Sequence, residues 1–160
     1  MPTTTTVLIA ELLNQLETVC SIATLDEHGA PHAVPSPFLA LDEQGRLVHL
    51  ELLETSTSHR NLLRSIWFDR PVSVTLAGSD GRVLVVSGVP HKAHVSGPLF
   101  SNYYQLVRSR LEDADLAAVW LIEVQQVRDE TYASRKVREE ELHPFHLHLD
   151  RLVVNQCLTN

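Results

Sequence analysis

The sequence predicts a mainly β (α+β) fold in which six antiparallel strands, flanked by helices, close into a barrel. Along the chain, apolar residues change from the spacing of a helix to the two-residue alternation of strands and back again. Short polar turns that contain glycine separate several extended stretches, and such turns join antiparallel neighbours, because parallel strands need long crossovers. The predicted order is helix, three strands, helix, two strands, helix and strand, and a sheet of this length tends to close.

The first half of the chain supplies one helix and three strands. The predicted helix carries its leucines and isoleucine on one face, and a β-rich apolar run begins at Val19. The next extended stretch contains Pro31, Pro35 and Pro37. Because proline is confined to sheet edges and bulges, we expect this strand to lie at an edge or to be broken. The four elements span residues 7–17, 19–25, 30–41 and 46–54.

The second half supplies two helices and three strands. A run of hydroxyl residues leads into a helix that ends before Pro71, and Pro98 suits the first turn of a further helix. The apolar residues expected to be buried on these two helices are Leu62, Leu63, Ile66, Trp67, Phe100, Tyr103, Tyr104, Val107 and Leu111. The five elements span residues 59–68, 72–76, 82–89, 98–111 and 117–127.

The composition describes an ordinary globular domain and disfavours two classes of partner. The 160 residues are 44% hydrophobic and 21% charged, with a formal net charge of −7. Nucleic-acid binding depends on clustered lysine and arginine, so this acidic balance argues against it. No apolar run approaches the roughly 20 residues of a membrane span. We expect one domain over residues 1–160, in which residues 133–160 form a C-terminal extension that packs on the barrel or on a dimer partner.

The N-terminus and the cysteines bear on location. Residues 1–6 lack the basic region and the apolar core of a signal peptide. Cys20 and Cys157 show neither the spacing of metal ligands nor a disulfide framework. We therefore expect a cytoplasmic protein whose thiols are reduced.

Four phrases of the sequence stand out by their order and spacing, at residues 19–32, 45–50, 55–62 and 70–74. Together they resemble the pyridoxamine 5′-phosphate oxidase-like, FMN-binding split β-barrel superfamily. The first looks like its opening hairpin, and the last two look like its phosphate-binding turn and helix followed by a Pro-x-Val strand. The resemblance covers about residues 7–127. It implies a six-stranded antiparallel split β-barrel, a homodimer, and FMN held in a groove between the subunits.

The chain departs from the superfamily's pattern in two places. Members usually carry lysine or arginine just before the Asn-Leu pair, whereas the basic candidates here are His59 and Arg60, and the helix that follows is longer. The Arg/Trp-rich C-terminal signature of the true pyridoxamine 5′-phosphate oxidases is missing. The resemblance therefore implies a flavin-dependent oxidoreductase of unknown substrate and unknown catalytic residues, and not that particular reaction. A non-catalytic flavin-binding module is an alternative.

The candidate phosphate site is the turn into the second predicted helix. A helix N-terminus offers free N–H groups and a positive dipole end, which suit a phosphate, and an arginine can bind phosphate through two hydrogen bonds. The alternative is a plain helix cap, because serine and threonine are preferred at that position in any case. The candidate residues are Thr55, Ser56, Thr57, Ser58, His59, Arg60 and Asn61.

Four residues on strands are further cofactor-binding candidates through the resemblance. Strands that carry Ser36, His49 and Glu51 would place backbone amides and polar side chains against the flavin ring. Trp120 would lie near the flavin across a dimer interface. The alternatives are a solvent-facing strand surface for His49 and Glu51, and ordinary core or interface packing for Trp120.

A histidine cluster near the C-terminus raises a different function. On an extended segment His146, His148 and Asp150 would share one face, and His143 lies close by, so a haem or metal could be bound there. The alternative is a solvated tail, or one that packs its apolar residues across a dimer. A haem-binding or haem-degrading split-barrel protein is therefore the rival to a flavoprotein.

Overall fold

The computed structural model describes residues 3–144, which form four helices and seven strands. In chain order these are α1 (Thr4–Leu13), β1 (Val19–Leu25), β2 (Pro31–Pro35), β3 (Ala40–Leu41), β4 (Leu47–Glu51), α2 (Thr57–Phe68), β5 (Val72–Ala77), β6 (Val83–His94), α3 (Pro98–Arg110), β7 (Ala118–Asp129) and α4 (Tyr132–Leu142). Within residues 3–144, no helix is long and apolar enough to cross a membrane.

The strands form one curled antiparallel sheet, so the predicted split β-barrel with flanking helices is confirmed. Its order is β2-β1-β5-β6-β7-β4-β3, which leaves β2 and β3 at the two edges. The predicted number of six strands is wrong, because the proline-rich stretch at 30–41 divides into β2 and β3. Its prolines cannot donate ladder hydrogen bonds, and the break between the two short strands lies at residues 36–39.

The concave side of the sheet encloses the larger hydrophobic core. Ile9 and Leu12 of α1 and Leu62 of α2 pack into it against the strands, where Trp120 is fully buried. A second core lies on the other side of β4 and β7. There Val107 of α3 packs on residues that alternate with those of the first core.

This double coverage explains why every residue of β4 is buried. The alternation at 46–54 predicted one apolar and one polar face, and the polar face, with His49 and Glu51, points into the protein and not to solvent. The alternative of a solvent-facing strand surface for these two residues is therefore wrong: they are 3% and 6% exposed.

β6 and β7 are the longest strands and fit together through irregular register at two places. At one of them, a Cβ added to Gly88 would lie 2.5 Å from the carbonyl oxygen of Glu123. Only glycine allows the two backbones to approach this closely. The pairing of β6 with β7 thus continues on both sides of each irregularity.

The helices differ from the sequence-based expectations at several ends. The first helix begins earlier and ends earlier than predicted, and Leu16 beyond it is 87% exposed. The charged stretch after 132 forms α4, which was not predicted. Leu63, Trp67, Tyr104 and Leu111 were expected to be buried but are exposed.

Candidate functional site

The turn from β4 into α2 is held by a side-chain cap. The Ser56 hydroxyl accepts a hydrogen bond of 3.0 Å from the backbone N–H of His59, and Ser56 itself has extended backbone angles. This is the geometry of a preferred N-cap residue, which satisfies one of the free donors in the first turn. The plain-cap alternative therefore describes Ser56, while the hydroxyls of Thr57 and Ser58 contact Arg60 and Glu51.

The carboxylate of Glu51 lies directly against the first turn of α2. Its Oε2 accepts a hydrogen bond of 2.7 Å from the hydroxyl of Ser58, and its Oε1 accepts one of 3.2 Å from the N–H of Leu53. The Ser58 hydroxyl also lies 3.0 Å from that of Ser56. The end of β4 is thus tied to the start of α2 through buried polar groups.

His49 extends this network towards β2. Its Nδ1 lies 2.7 Å from the hydroxyl of Ser36, and its Nε2 lies 3.7 Å from Oε2 of Glu51. The latter distance suits an ion pair but exceeds a hydrogen bond, and Nε2 has no hydrogen-bond partner. Ser36, His49 and Glu51, which the resemblance grouped near a flavin ring, are therefore brought together, but their side chains face one another inside the protein.

Glu51 is ionised despite its burial. Desolvation raises its pKa, but the neighbouring His49 side chain, the Ser58 hydroxyl and the Leu53 N–H together lower it from 4.5 to about 2. Hydrogen bonds to a carboxylate favour the charged form in this way. Near neutral pH the start of α2 therefore faces a buried negative charge.

A second buried polar contact anchors α2 to β1. The side-chain amide of Asn61 donates a hydrogen bond of 3.0 Å to the hydroxyl of Thr24, which in turn approaches the carbonyl of His32 at 3.4 Å. Asn61 is 1% exposed, and its Oδ1 has no hydrogen-bond partner. Asn61 is thus a positioning residue for the helix and does not reach the outer surface of the turn.

The solvent side of the same turn carries Thr55, Thr57 and Arg60. The guanidinium of Arg60 donates a hydrogen bond of 3.2 Å to the hydroxyl of Thr57, and Arg60 is exposed. A groove of about 540 Å³ begins beside this surface. It is lined by Leu52, Leu53, Glu54, Thr55, Tyr104, Asp115, Leu116 and Ala117.

The turn fits an FMN phosphate only in part. Exposed hydroxyls and one arginine are suitable donors on the outer side. Opposed to them are the ionised Glu51 behind the turn and two acidic residues, Glu54 and Asp115, in the groove. Phosphate would therefore meet donors on one side and like charge on the other.

Comparisons with known proteins define the fold. No family model matches the sequence, and no curated protein matches it. Solved structures do match, among them proteins assigned provisionally as pyridoxamine 5′-phosphate oxidases and an F420 reductase. Their folds agree with the curled sheet and flanking helices described above.

Three of these structures illustrate the range of similarity to this chain. HupZ from Group A Streptococcus is 15% identical with a TM-score of 0.65 over 82% of this chain and 96% of that one. An FMN-binding protein from Syntrophomonas wolfei is 9% identical with a TM-score of 0.58 over 69% and 76%. HutZ, the heme storage protein from Vibrio cholerae, is 14% identical with a TM-score of 0.55 over 76% and 91%.

The chain has the split β-barrel fold of the pyridoxamine 5′-phosphate oxidase-like proteins. The predicted resemblance is confirmed at this level. Split-barrel chains of this set include both flavin-binding and haem-handling proteins, so the fold is compatible with either cofactor. A choice between them depends on the residues of this chain.

Within this split barrel, the predicted site residues fall into two groups. Those on the outer side are Thr55 and Arg60, which are exposed, with Ser56, Thr57 and His59 partly buried. Those enclosed by the protein are Ser36, His49, Glu51, Ser58, Asn61 and Trp120. The sequence did not indicate Thr24 or Tyr104, because no spacing links them to a turn that lies more than 30 residues away in the chain.

Trp120 is fully buried, and its position suits the alternative of core packing. Its indole Nε1 donates a hydrogen bond of 3.3 Å to Nδ1 of His59, and the two rings meet edge to face with centroids 5.6 Å apart. The tryptophan therefore supports the first turn of α2 from within the core.

The C-terminal histidines fall mostly outside the described residues. His143 follows α4 and lies 3.8 Å from Glu139, whereas His146, His148 and Asp150 lie outside residues 3–144. Among the described residues, no group of three or more His, Cys, Asp or Glu side chains is placed to hold a metal ion. The packing of residues 133–160 on the barrel or on a partner stays a prediction.

Proposed function

We propose that this split barrel binds FMN and acts as a flavin-dependent oxidoreductase. The observation that carries the proposal is the outer surface of the β4–α2 turn, where Thr57 and Arg60 lie side by side next to the groove. The phosphate would bind at these donors, and the flavin ring would follow the groove towards Tyr104. The likeness to an FMN-binding protein of the same fold supports the choice of flavin.

In this proposal, the chain's own residues bind and orient the cofactor. FMN would supply the hydride or electron transfer. The apolar part of the groove, Leu52, Leu53 and Leu116, excludes water from one face of a bound ring. The buried network of Ser36, His49 and Glu51 sets the position of the turn and does not contact the ring.

We also propose that FMN is preferred to FAD and to riboflavin. The turn offers donors for one phosphate group, and it has no glycine-rich loop of the kind that passes a pyrophosphate. Riboflavin lacks the phosphate and would lose the contacts with Thr57 and Arg60. The chain would act as a cytoplasmic homodimer, with the cofactor in the groove between the subunits.

The experiment is a titration of the apo-protein with FMN and with riboflavin, followed by flavin fluorescence. We expect Arg60→Ala to weaken FMN binding by roughly ten- to a hundredfold, because it removes a charge-assisted hydrogen bond. Riboflavin binding should stay unchanged. Arg64→Ala is the matched control: it removes the same charge one turn later, where Arg64 pairs with Glu27 at 3.1 Å. Equal FMN affinity in wild type and Arg60→Ala would place the phosphate elsewhere.

Haem binding is the second candidate, and the likeness to HutZ favours it. In this case the C-terminal histidines, of which His143 is exposed, would supply the iron ligand. The absorbance spectrum of the purified protein separates the two candidates. The blue absorption of oxidised flavin supports the first, and an intense Soret band after haem addition supports the second. A colourless protein that takes up neither cofactor would support the remaining alternative, a non-catalytic module.

A further inference from the structure

We infer that Glu51 is a specificity-determining residue that weakens the binding of phosphorylated flavins at the start of α2. The inference rests on the proposed function, because it concerns how the same turn treats a phosphate. It assigns to Glu51 a role opposite to that of a cofactor contact.

The first observation is that a buried carboxylate already lies against this helix start. An anion is favoured near a helix N-terminus by the free N–H groups and by the positive end of the dipole. Here the carboxylate of Glu51 takes the Ser58 hydroxyl at 2.7 Å and the Leu53 N–H at 3.2 Å. These donors point inward and are not available to a ligand outside.

The second observation is that no permanent cation neutralises this charge within the described residues. The one ion-pair partner of Glu51 there is His49, 3% exposed, whose Nε2 lies 3.7 Å away and has no hydrogen bond. The nearest carboxylates of the groove, Glu54 and Asp115, add like charge. Arg60 is bonded to Thr57 on the opposite, exposed side of the turn.

A phosphate bound at Thr57 and Arg60 would therefore lie within one helix turn of an ionised and poorly screened carboxylate. FMN phosphate carries between one and two negative charges near neutral pH, and like charges at this separation repel. Removing the charge of Glu51 should strengthen FMN binding by about tenfold. Riboflavin has no phosphate and should be indifferent to the change.

The test compares FMN and riboflavin titrations of wild type, Glu51→Gln and Glu43→Gln. Glutamine keeps the shape of Glu51: its amide oxygen can accept from the Leu53 N–H, and its NH2 group can donate to the Ser58 hydroxyl. Glu43→Gln is the matched control, because it removes the same charge from an exposed residue that does not line the groove. Glu51→Leu is a second variant that removes the charge without a buried amide. Circular dichroism checks that each variant is folded.

We expect the ratio of FMN affinity to riboflavin affinity to rise about tenfold in Glu51→Gln, to rise in Glu51→Leu, and to change by less than about twofold in Glu43→Gln. An unchanged or lower ratio in both Glu51 variants overturns the inference and leaves FMN binding by the wild type intact. If the wild type binds no flavin while Glu51→Gln binds FMN, the inference stands and the proposed function is wrong. If neither the wild type nor any variant binds either flavin, both the inference about Glu51 and the proposed function are wrong.

Discussion

The two ends of α2 present opposite surfaces. At its start, Ser58 and Asn61 are polar and almost completely buried, with partners on β4 and β1. At its end, Trp67 and Phe68 are large and apolar, and they are 81% and 68% exposed. Polar groups inside and aromatic groups outside reverse the usual distribution of residues.

The difference teaches that the two ends are stabilised by different means. The start is fixed within the chain, because the buried side chains of Ser58 and Asn61 each make at least one hydrogen bond, and its capacity for a ligand is limited to the outer surface. The end has a backbone anchor, in which Arg70 donates a hydrogen bond of 2.7 Å to the carbonyl of Asp26, and the guanidinium of Arg70 lies 5.9 Å from the ring centroid of Phe68. Exposed apolar patches are typical of protein–protein contacts, and the proposed homodimer would cover this one.

The largest expected effect concerns the tryptophan under the start of α2. Trp120→Ala should reduce the free energy of unfolding by about 3–5 kcal/mol, because it opens a cavity in the concave core and removes the hydrogen bond to His59. Urea unfolding followed by circular dichroism measures the change. Trp120→Phe keeps most of the volume and should cost clearly less. If the alanine variant loses less than about 1 kcal/mol of unfolding free energy, Trp120 is not a main contributor to the packing of the core.

A smaller loss of stability is expected when acid protonates Glu51 beside the start of α2. The pKa of Glu51 is lowered in the folded protein to about 2 from its ordinary 4.5, so its ionised form stabilises the fold above about pH 4.5. This stabilisation is lost as the pH falls towards 2, and it amounts to on the order of 3 kcal/mol. The free energy of unfolding, measured between these pH values, should depend less on pH in Glu51→Gln than in wild type.

Asp80 supplies the control for this acid effect. Its pKa is also lowered to about 2, mainly by the backbone N–H and guanidinium of Arg82, but the pair lies on the surface. Exposed pairs contribute little and are screened by salt. Asp80→Asn should therefore alter the acid range only slightly, and added salt should remove the difference. An equally large effect of both substitutions would contradict a special role for the buried carboxylate.

The same contrast shows how far the sequence could predict the molecule. Local patterns were sufficient for most strands, for the hydroxyl-capped start of α2 and for the edge position of the proline-rich stretch. They failed for the polar face of β4, since its cover comes from the first turn of α2, where Ser58 bonds Glu51, and from Ser36, which bonds His49. A period-two pattern distinguishes two faces but does not state whether the second face meets solvent or a helix.

The candidate site was predictable to a similar degree. The turn at residues 55–61 was identified, but the sequence did not separate its outward residues, such as Arg60, from its inward ones, such as Ser58. That separation depends on Glu51, which supplies the partner for Ser58 from the preceding strand. The predicted apolar stripe of α2 was wrong at Trp67, which is 81% exposed among the described residues, because helical spacing does not tell how far the sheet covers the helix.

The smallest expected effect on the fold, at the other end of α2, tests the proposed homodimer. Trp67→Ala should change the unfolding free energy of the dilute protein by less than about 0.5 kcal/mol, because an 81% exposed side chain has little burial to lose. If the end of α2 meets a second copy, the same substitution should weaken self-association at least about tenfold, as expected for an aromatic residue buried at an interface. Light scattering over a range of micromolar concentrations measures the mass against the 17.9 kDa of one chain.

Tyr132→Ala at the start of α4, where the side chain is 76% exposed, is the control and should leave the mass unchanged. A wild type that stays at the single-chain mass would end the homodimer proposal, and dissociation by Tyr132→Ala alone would move the interface to α4.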